Sequence, residues 1–228
     1  MNFIELEENS NKLLDKYSEI SICKITPPVP IEKLAEDLFS VKIEKDRMES
    51  GIAGKLYVKD KVIVLNVKDI LERQRFTIAH EVGHLFLHEK NSKVKSIVCR
   101  KNDNSRIEKE ANCFAAYILM PKRLIYDQVI MNSQEMIDLK WISGILKHLS
   151  DTRLHSINKL IFNYTKTSGI INQNENIRKE EILIKLISII SKQFLVSKEA
   201  ITWRFKNLGL LDGFLEPEVR DAVRKNIQ

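Results

Sequence analysis

The chain has 228 residues, 43% of them hydrophobic and 30% charged, and its formal net charge is +6. This composition is typical of a globular protein and excludes a fibrous or largely disordered chain. Basic and acidic residues are interleaved along the sequence, so the net charge by itself does not predict a protein that binds nucleic acid.

The N-terminal residues lack the basic start and apolar run of a secretory signal, and no stretch of the sequence is as long and apolar as a membrane span. The three cysteines, Cys23, Cys99 and Cys113, are far apart and form no Cys-x-x-Cys pair. This spacing favours reduced thiols in the core or at the surface over a disulfide framework or a structural zinc site. We therefore expect a cytoplasmic protein that does not associate with membranes.

The first third of the chain changes from helical to strand-like periodicity. Apolar side chains recur at helical spacing in residues 3–21, a proline-rich breaker follows at 26–30, and a short helix is predicted at 31–38. The alternation typical of strands then appears at residues 40–45, 54–58 and 62–67. The last two of these strands are predicted to form a hairpin.

The rest of the chain is predicted to be mainly helical. Helical spacing returns at residues 69–86 and 106–119, with a polar segment at 90–106 between them, and Pro121 ends the second helix. Further helices are predicted at 123–149, 180–194, 198–208 and 218–224, with an Asn-rich stretch at 163–178. We therefore predict two domains, residues 1–125 and a helical region 126–228 that includes a helix-turn-helix-like segment at 179–210.

The strongest chemical signal is the run His80-Glu81-Val82-Gly83-His84, a His-Glu-x-x-His pattern inside a predicted helix. Residues four apart on an α-helix are rotated by about 40° and rise about 6 Å, so both imidazoles can bind one metal ion. Glu81 lies at the edge of that face and can take a proton from water at the metal. Chance occurrence is the alternative, and the helical context makes it less frequent.

A catalytic zinc ion needs a third protein ligand and one open position. His88 follows His80 by eight residues, about 12 Å along a continuous helix, so we expect a structural or supporting role for it. The candidates in the next predicted helix are Glu108 and Glu110. Glu108 is favoured because it shares a helical face with Asn112, whose carbonyl oxygen could hold a ligand histidine. Glu110 points to the other side and remains the alternative.

Gly83 indicates how closely the two predicted helices approach each other. Glycine costs a helix interior about 1 kcal/mol relative to alanine, so its presence there predicts a close contact between backbones. The small side chains of Ala111 and Ala115 on the Glu108 face would permit that contact.

Two sequence blocks resemble the ImmA/IrrE family of metallopeptidases. Residues 75–88, Arg-Phe-Thr-Ile-Ala-His-Glu-Val-Gly-His-Leu-Phe-Leu-His, resemble its active-site helix, and residues 108–121 resemble its Glu-x-x-Ala-Asn-x-Phe-Ala…Leu-Met-Pro signature. The resemblance extends upstream through Val29-Pro30-Ile31 and the strand that ends at Asn66, and covers roughly residues 25–125. A shorter resemblance at 196–209 follows after a longer interval than is usual in the family.

The resemblance implies an α+β fold with a thermolysin-like, gluzincin-like zincin core, in which two active-site helices lie beside a small antiparallel sheet. It implies Zn²⁺ as the cofactor, with His80, His84 and Glu108 as metal ligands and Glu81 as the catalytic base. The implied activity is that of an endopeptidase. Its implied protein substrate is a helix-turn-helix transcriptional repressor of mobile-element or stress genes.

For the mechanism we expect an extended peptide to pair with an exposed edge of the hairpin at 54–67. Three residues could stabilise the oxyanion, although each is more often a core or surface residue: Tyr117, His148 and His155.

A DNA-binding regulator with a structural or vestigial metal site is the alternative function. A helix at 183–194, a turn at 195–197 and a helix carrying Lys198, Arg204 and Lys206 resemble a helix-turn-helix unit, capped by Ser197 and ended by Gly209. Three basic residues are few for binding phosphates, so the helices could instead simply pack on the peptidase. In that case four apolar residues are expected to be buried: Ile201, Trp203, Phe205 and Leu208.

Overall fold

The computed structural model of the chain describes residues 2–88, 96–100, 105–133 and 179–210. Within these ranges the fold is α+β, as predicted, with seven helices and one four-stranded sheet. In chain order the elements are α1 (Phe3–Ser21), α2 (Ile31–Phe39), β1 (Lys42–Asp46), β2 (Ile52–Tyr57), β3 (Val62–Asn66), α3 (Leu71–His88), β4 (Ser96–Arg100), α4 (Arg106–Leu119), α5 (Lys122–Ser133), α6 (Lys179–Phe194) and α7 (Lys198–Asn207).

The predicted helices that fall within the described residues are confirmed, and their observed ends lie within two residues of the predicted ones. The Asn2 side chain caps α1 by accepting hydrogen bonds from the Ile4 and Glu5 amides. Several predictions lie outside the described residues: the helix at 218–224, the Asn-rich stretch at 163–178, the part of the 123–149 helix beyond residue 133, and two of the oxyanion candidates, His148 and His155.

The sheet has the strand order β1-β3-β2-β4 and is mixed. The predicted hairpin of β2 and β3 is confirmed as an antiparallel pair, and β4 also pairs antiparallel with β2. The prediction of an antiparallel sheet is wrong for β1, which runs parallel to β3. Strand β3 lies between β1 and β2 in the sheet, although it follows both of them in the chain. It is antiparallel to β2 and runs in the same direction as β1.

The sequence does not predict strand β4, because its five residues lie within the polar segment 90–106. Its presence also contradicts the prediction that a peptide pairs with an exposed edge of the hairpin at 54–67. Strand β2 pairs with β3 and β4, and β3 pairs with β1 and β2, so both hairpin strands are internal. Among the described strands the free edges belong to β1 and β4.

One face of the sheet packs against α3. Leu56, Ile63 and Leu65 are fully or almost fully buried there. A Cβ added to Gly54 would lie 2.6 Å from Thr77 Cγ2 and 3.0 Å from the Val64 carbonyl oxygen. Only glycine at this position of β2 therefore allows α3 to approach the sheet so closely.

A buried arginine joins α2 to α3. Arg75 is 4% exposed, and its Nη1 donates to both carboxylate oxygens of Glu32 at 2.9 and 2.8 Å, while Nη2 donates to the Val29 carbonyl. A guanidinium carries several donors in a fixed plane, so Arg75 binds the Glu32 carboxylate and the Val29 carbonyl at the same time. The segment that leads into α2 is thereby held against the base of α3, the helix that carries the His-Glu-x-x-His run.

The described residues divide into two units, one formed from Met1–Ile125 with Ser191–Ile201 and the other from the remainder. The boundary proposed at residue 125 stays a prediction. No helix in the described ranges is long and apolar enough to cross a lipid bilayer.

Candidate metal centre

Three of the polar side chains that helix α3 buries belong to the His-Glu-x-x-His run. His80 and His84 are 1% and 2% exposed, and Glu81 is completely buried. The two imidazoles lie one helical turn apart, with ring centroids 4.6 Å and Nε2 atoms 3.0 Å from each other. Two ring nitrogens at this separation can be satisfied together by one cation placed beside them.

Helix α4 supplies the carboxylate that faces these two rings. The Ser105 hydroxyl caps α4 by accepting a hydrogen bond from the Glu108 amide, which places Glu108 in the first helical turn. Its Oε2 lies 3.0 Å from His80 Nε2, and its Oε1 lies 3.1 Å from His84 Nε2. Ligand atoms about 2.1 Å from a tetrahedral zinc ion lie about 3.4 Å from one another, so the three groups are placed to bind one metal ion.

Glu110, the alternative to Glu108, lies on another side of α4. Its Oε1 accepts a hydrogen bond from Arg106 Nε at 3.0 Å, and its Oε2 is 3.8 Å from His88 Nε2. His88 is not in the group of described side chains that could hold a metal with His80 and His84. The structure therefore brings Glu108, and not Glu110, to the histidine pair.

Asn112 orients the first histidine. Its Oδ1 lies 2.9 Å from His80 Nδ1. Because a carbonyl oxygen can only accept, Nδ1 carries the proton, and the lone pair of His80 Nε2 points towards Glu108 and His84. A partner at the far nitrogen is what a histidine ligand needs to hold its ring and tautomer. For His84, no partner of Nδ1 is found among the described residues.

The two helices meet at Gly83, as its sequence position predicted. A Cβ at Gly83 would lie 3.2 Å from Phe114 Cδ1 and 3.3 Å from Ala111 Cα. The packing of α3 on α4 therefore depends on two small residues that face each other, and the prediction of a close approach is confirmed.

The electrostatic environment keeps Glu108 ionised. Burial by itself would raise the pKa of Glu108, but the interactions with the neighbouring His80 and His84 rings outweigh it and hold the pKa at about 2. The site thus presents two imidazoles and one carboxylate, a donor set that suits zinc. A bound cation and the Glu108 carboxylate would each reduce the free-energy cost of burying the other's charge. The residues present therefore fit the metal that the resemblance implies.

Glu81, next to His80 in α3, differs from Glu108 in its hydrogen bonding and in its pKa. Both of its carboxylate oxygens are buried and accept no hydrogen bond from any described residue. Burial raises the pKa of Glu81 well above its usual value, and the charge on Glu108 raises it further. A buried carboxylate without partners is costly, so its position indicates a group that exchanges protons with something bound at the site.

Cys99 is a member of the site that the sequence did not reveal. Its sulfur, a ring nitrogen of His80 and a carboxylate oxygen of Glu81 all lie within 4.8 Å of one another. Burial, followed by the charges of Glu81 and Glu108, raises the pKa of the Cys99 thiol to about 12. The only sequence signal was a short apolar run in a polar segment, and that run proves to be β4.

The C-terminal helices bear on the alternative function. Ser197 caps α7 by accepting from the Ala200 amide at 3.2 Å, and Gly209 follows the helix with φ +70°, so both predicted ends are confirmed. Arg204 is completely buried and donates to Asn207 Oδ1 at 2.9 Å. It is therefore not available to a phosphate, which leaves two of the three predicted basic contacts.

The predicted burial of the apolar residues in α7 and just after it is only partly correct. Ile201 and Phe205 are buried, Leu208 is half-buried, and Trp203 is 39% exposed.

Tyr117, the third oxyanion candidate, belongs to α4 and its side chain is buried.

Comparison with known proteins agrees with this geometry. Residues 36–138 match the model of a peptidase family described as IrrE N-terminal-like domain. The chain is also 31% identical over 78 residues to the metallopeptidase ImmA of Bacillus subtilis (strain 168), an alignment that covers 33% of this chain. It spans about half, 46%, of the length of that relative. The family match includes all three residues placed to hold a metal.

Proposed function

Because this chain is a member of the ImmA/IrrE family of metallopeptidases, we propose that it is a zinc-dependent endopeptidase whose substrate is a helix-turn-helix repressor. The observation that carries the proposed chemistry is the convergence of His80, His84 and Glu108 beside the unpartnered carboxylate of Glu81. The repressor is proposed from the family resemblance, which implies that class of substrate.

The proposed roles of the metal-facing residues follow from their contacts. His80 and His84 would donate their Nε2 lone pairs and Glu108 a carboxylate oxygen, while Asn112 holds His80 in the required tautomer. When bound, zinc polarises a scissile carbonyl and lowers the pKa of a water molecule towards neutrality. Three protein ligands leave one position for these reactants.

Glu81 is the proposed general base. One of its oxygens lies within 4.8 Å of a His80 ring nitrogen, and neither oxygen accepts a hydrogen bond from a described residue that it would have to give up before it accepts a proton. Its raised pKa brings it closer to neutral pH, where a group can both take and return a proton. In the proposed reaction Glu81 takes a proton from water and delivers it to the nitrogen of the leaving amine.

We place the peptide along β4 rather than along the hairpin. Strand β4 pairs with β2 on one side, and its other edge is free among the described residues. An extended peptide that added to this edge would form main-chain hydrogen bonds with little sequence preference. Cys99 in β4 lies close to Glu81, so such a peptide would pass beside the proposed base. The arrangement supports a thermolysin-like core as part of the proposal.

Zinc-dependent cleavage is the test. The purified full chain, stripped of metal and reloaded with zinc, should cut a helix-turn-helix repressor encoded by a neighbouring gene, with casein as a general peptidase substrate. Fragments should appear only with metal, and Glu81→Gln should bind zinc normally but lower the cleavage rate by about 10²- to 10⁴-fold, the usual contribution of a general base.

The possible outcomes separate the parts of the proposal. A wild-type chain that binds no zinc, or a Glu81→Gln variant that cleaves at the wild-type rate, would contradict the enzyme. Cleavage of casein without cleavage of the repressor would contradict only the substrate.

A further inference from the structure

One arginine of α3 lies on the same line along the helix as the two metal-facing histidines. Arg73 precedes His80 by seven residues and His84 by eleven, and α3 is continuous from Leu71 to His88. From the α-helical repeat, Arg73 points within about 20° of both histidines and lies about 10 Å from His80 towards the start of the helix. Arg73 therefore belongs to the side of α3 that faces the candidate metal centre.

Arg73 also lies near β4, the strand proposed to pair with the substrate. Burial, the largest influence, raises the pKa of the Cys99 thiol to about 12, and the positive charge of Arg73 acts against it. The next turn of α3 lies over the neighbouring strand, because a Cβ on Gly54, the β2 partner of Cys99, would be 2.6 Å from Thr77 Cγ2. A peptide on the free edge of β4 would therefore pass close to Arg73 as well as to the metal centre.

Helix stability does not account for an arginine at this position. Arg73 is the third residue of α3, and a positive charge in the first turn is repelled by the partial positive charge of a helix N-terminus. Its side chain is exposed and forms no ion pair or hydrogen bond with another residue that the structure describes. Arg75, two residues later, is instead buried and paired with Glu32. The Arg73 guanidinium is thus accessible to a ligand.

We propose that Arg73 is a specificity-determining residue that binds a carboxylate side chain of the substrate about three residues from the cleaved bond. The inference rests on the proposed function, because it names the substrate residue that the same site selects. An extended peptide advances about 3.3 Å per residue, so about 10 Å between Arg73 and His80 corresponds to about three residues. The planar guanidinium matches the two oxygens of a carboxylate, which is why arginine is common where acidic groups are recognised.

Phe76 lies between Arg73 and the metal-facing histidines and offers an apolar contact. It follows Arg73 by three residues, its side chain is half-buried, and its ring centroid is 6.4 Å from that of His80. An apolar substrate side chain would remove this ring from water. The preferred substrate is therefore a peptide with Asp or Glu about three residues from the cut and an apolar residue between them.

A peptide library tests the inference without knowledge of the natural substrate. The zinc-loaded full chain digests an equimolar mixture of synthetic peptides randomised at every position, and mass spectrometry identifies the residues around each cut bond. Wild type should favour Asp or Glu over Asn or Gln by about fivefold at one position two to four residues from the cut, the upper value for an ion pair near solvent. Arg73→Gln should lose this preference, and Arg73→Glu should replace it with a preference for Lys or Arg.

Arg47→Glu is the matched control for the change in net charge. Arg47 is exposed and follows β1, at the opposite edge of the sheet from β4. This variant should retain the wild-type preference. An equal loss of the preference in Arg47→Glu would assign it to the net charge of the protein and would overturn the inference.

The wild-type digest alone can reject the inference. Cleavage without an acidic preference at these positions, or an acidic preference that persists in Arg73→Glu, overturns the inference and leaves the proposed peptidase intact. The absence of zinc-dependent cleavage of any peptide contradicts the proposed function and the inference together. A merely structural effect of the substitutions lowers the overall rate but does not reverse the charge that is preferred.

Discussion

The two sides of the candidate metal centre differ in how far their polar groups are satisfied. On the α4 side, Glu108 contacts both histidines at 3.0 and 3.1 Å, and Asn112 holds His80 at 2.9 Å. On the β4 side, Glu81 has no hydrogen-bond partner among the described residues and Cys99 lies nearby. On the α4 side the polar groups are already paired with one another, as expected for residues that hold a metal. On the β4 side the unpaired carboxylate is suited to exchange protons with reactants.

Two buried carboxylates in one site can have opposite tendencies to ionise. The neighbouring histidines lower the pKa of Glu108 despite its burial, whereas burial without partners raises the pKa of Glu81. Pairs of titratable groups whose surroundings push their pKa values apart are typical of an acid or base placed next to a permanent charge. This contrast supports assigning Glu108 to the metal and Glu81 to proton transfer.

Removing the negative charge on the α4 side should weaken zinc binding more than any other change considered. Glu108→Gln keeps the shape of the side chain but removes an anionic ligand, so zinc affinity should fall by more than about 100-fold, the upper end for loss of a mere supporting contact. A competition titration of the metal-stripped protein against a chromophoric chelator measures this.

Glu110→Gln is the matched control, because it is the same substitution half a helical turn away on α4. It should leave zinc affinity within about twofold of wild type, since Glu110 contacts Arg106 rather than the histidine pair. Equal losses in the two variants would show that the general charge of α4, and not a coordinating Glu108, determines binding.

A smaller effect is expected at Asn112. Asn112→Ala removes the acceptor for His80 Nδ1–H, and the loss of such a partner typically lowers metal affinity by about 10- to 100-fold. The same chelator titration applies, with Cys113→Ser, the next residue on α4, as the control. Unchanged affinity in Asn112→Ala would mean that helix packing alone orients His80.

The sequence could predict the α4 side because that side depends on helical periodicity. Spacing alone placed His80 and His84 on one face, and the shared face of Glu108 and Asn112 distinguished Glu108 from Glu110. Gly83 likewise indicated the close contact with α4 that the structure contains. Local rules of this kind need no knowledge of distant contacts.

The β4 side could not be predicted in the same way, because it depends on strand pairing between distant segments. A five-residue strand in a polar segment has too weak a pattern to be separated from a loop, and the parallel pairing of β1 with β3 is decided by tertiary packing. Without β4, the edge for the peptide was assigned to the hairpin, and Cys99 was read as an ordinary thiol.

The smallest expected effect is on the pH dependence of stability in the metal-free protein. The folded pKa of Glu81 is raised above 4.5, so its contribution to stability is intact below that pH and is lost as pH rises through the raised pKa. The folded pKa of Glu108 is lowered to about 2, so its contribution is intact above 4.5 and is lost as pH falls towards 2. The two carboxylates should therefore affect opposite ends of the pH range.

Urea unfolding of metal-free wild type, Glu81→Gln and Glu108→Gln over a pH series separates these contributions. Above pH 4.5 the stability of Glu81→Gln relative to wild type should increase by up to about 1.4 kcal/mol per pH unit, because the variant cannot ionise. Below pH 4.5 the stability of Glu108→Gln relative to wild type should increase as pH falls, because in wild type the unfolded chain takes up a proton at Glu108 before the folded chain does. If the difference between Glu81→Gln and wild type did not vary with pH, Glu81 would have the same pKa in the folded and unfolded chain. The contrast between the two sides of the site would then be one of geometry and not of charge.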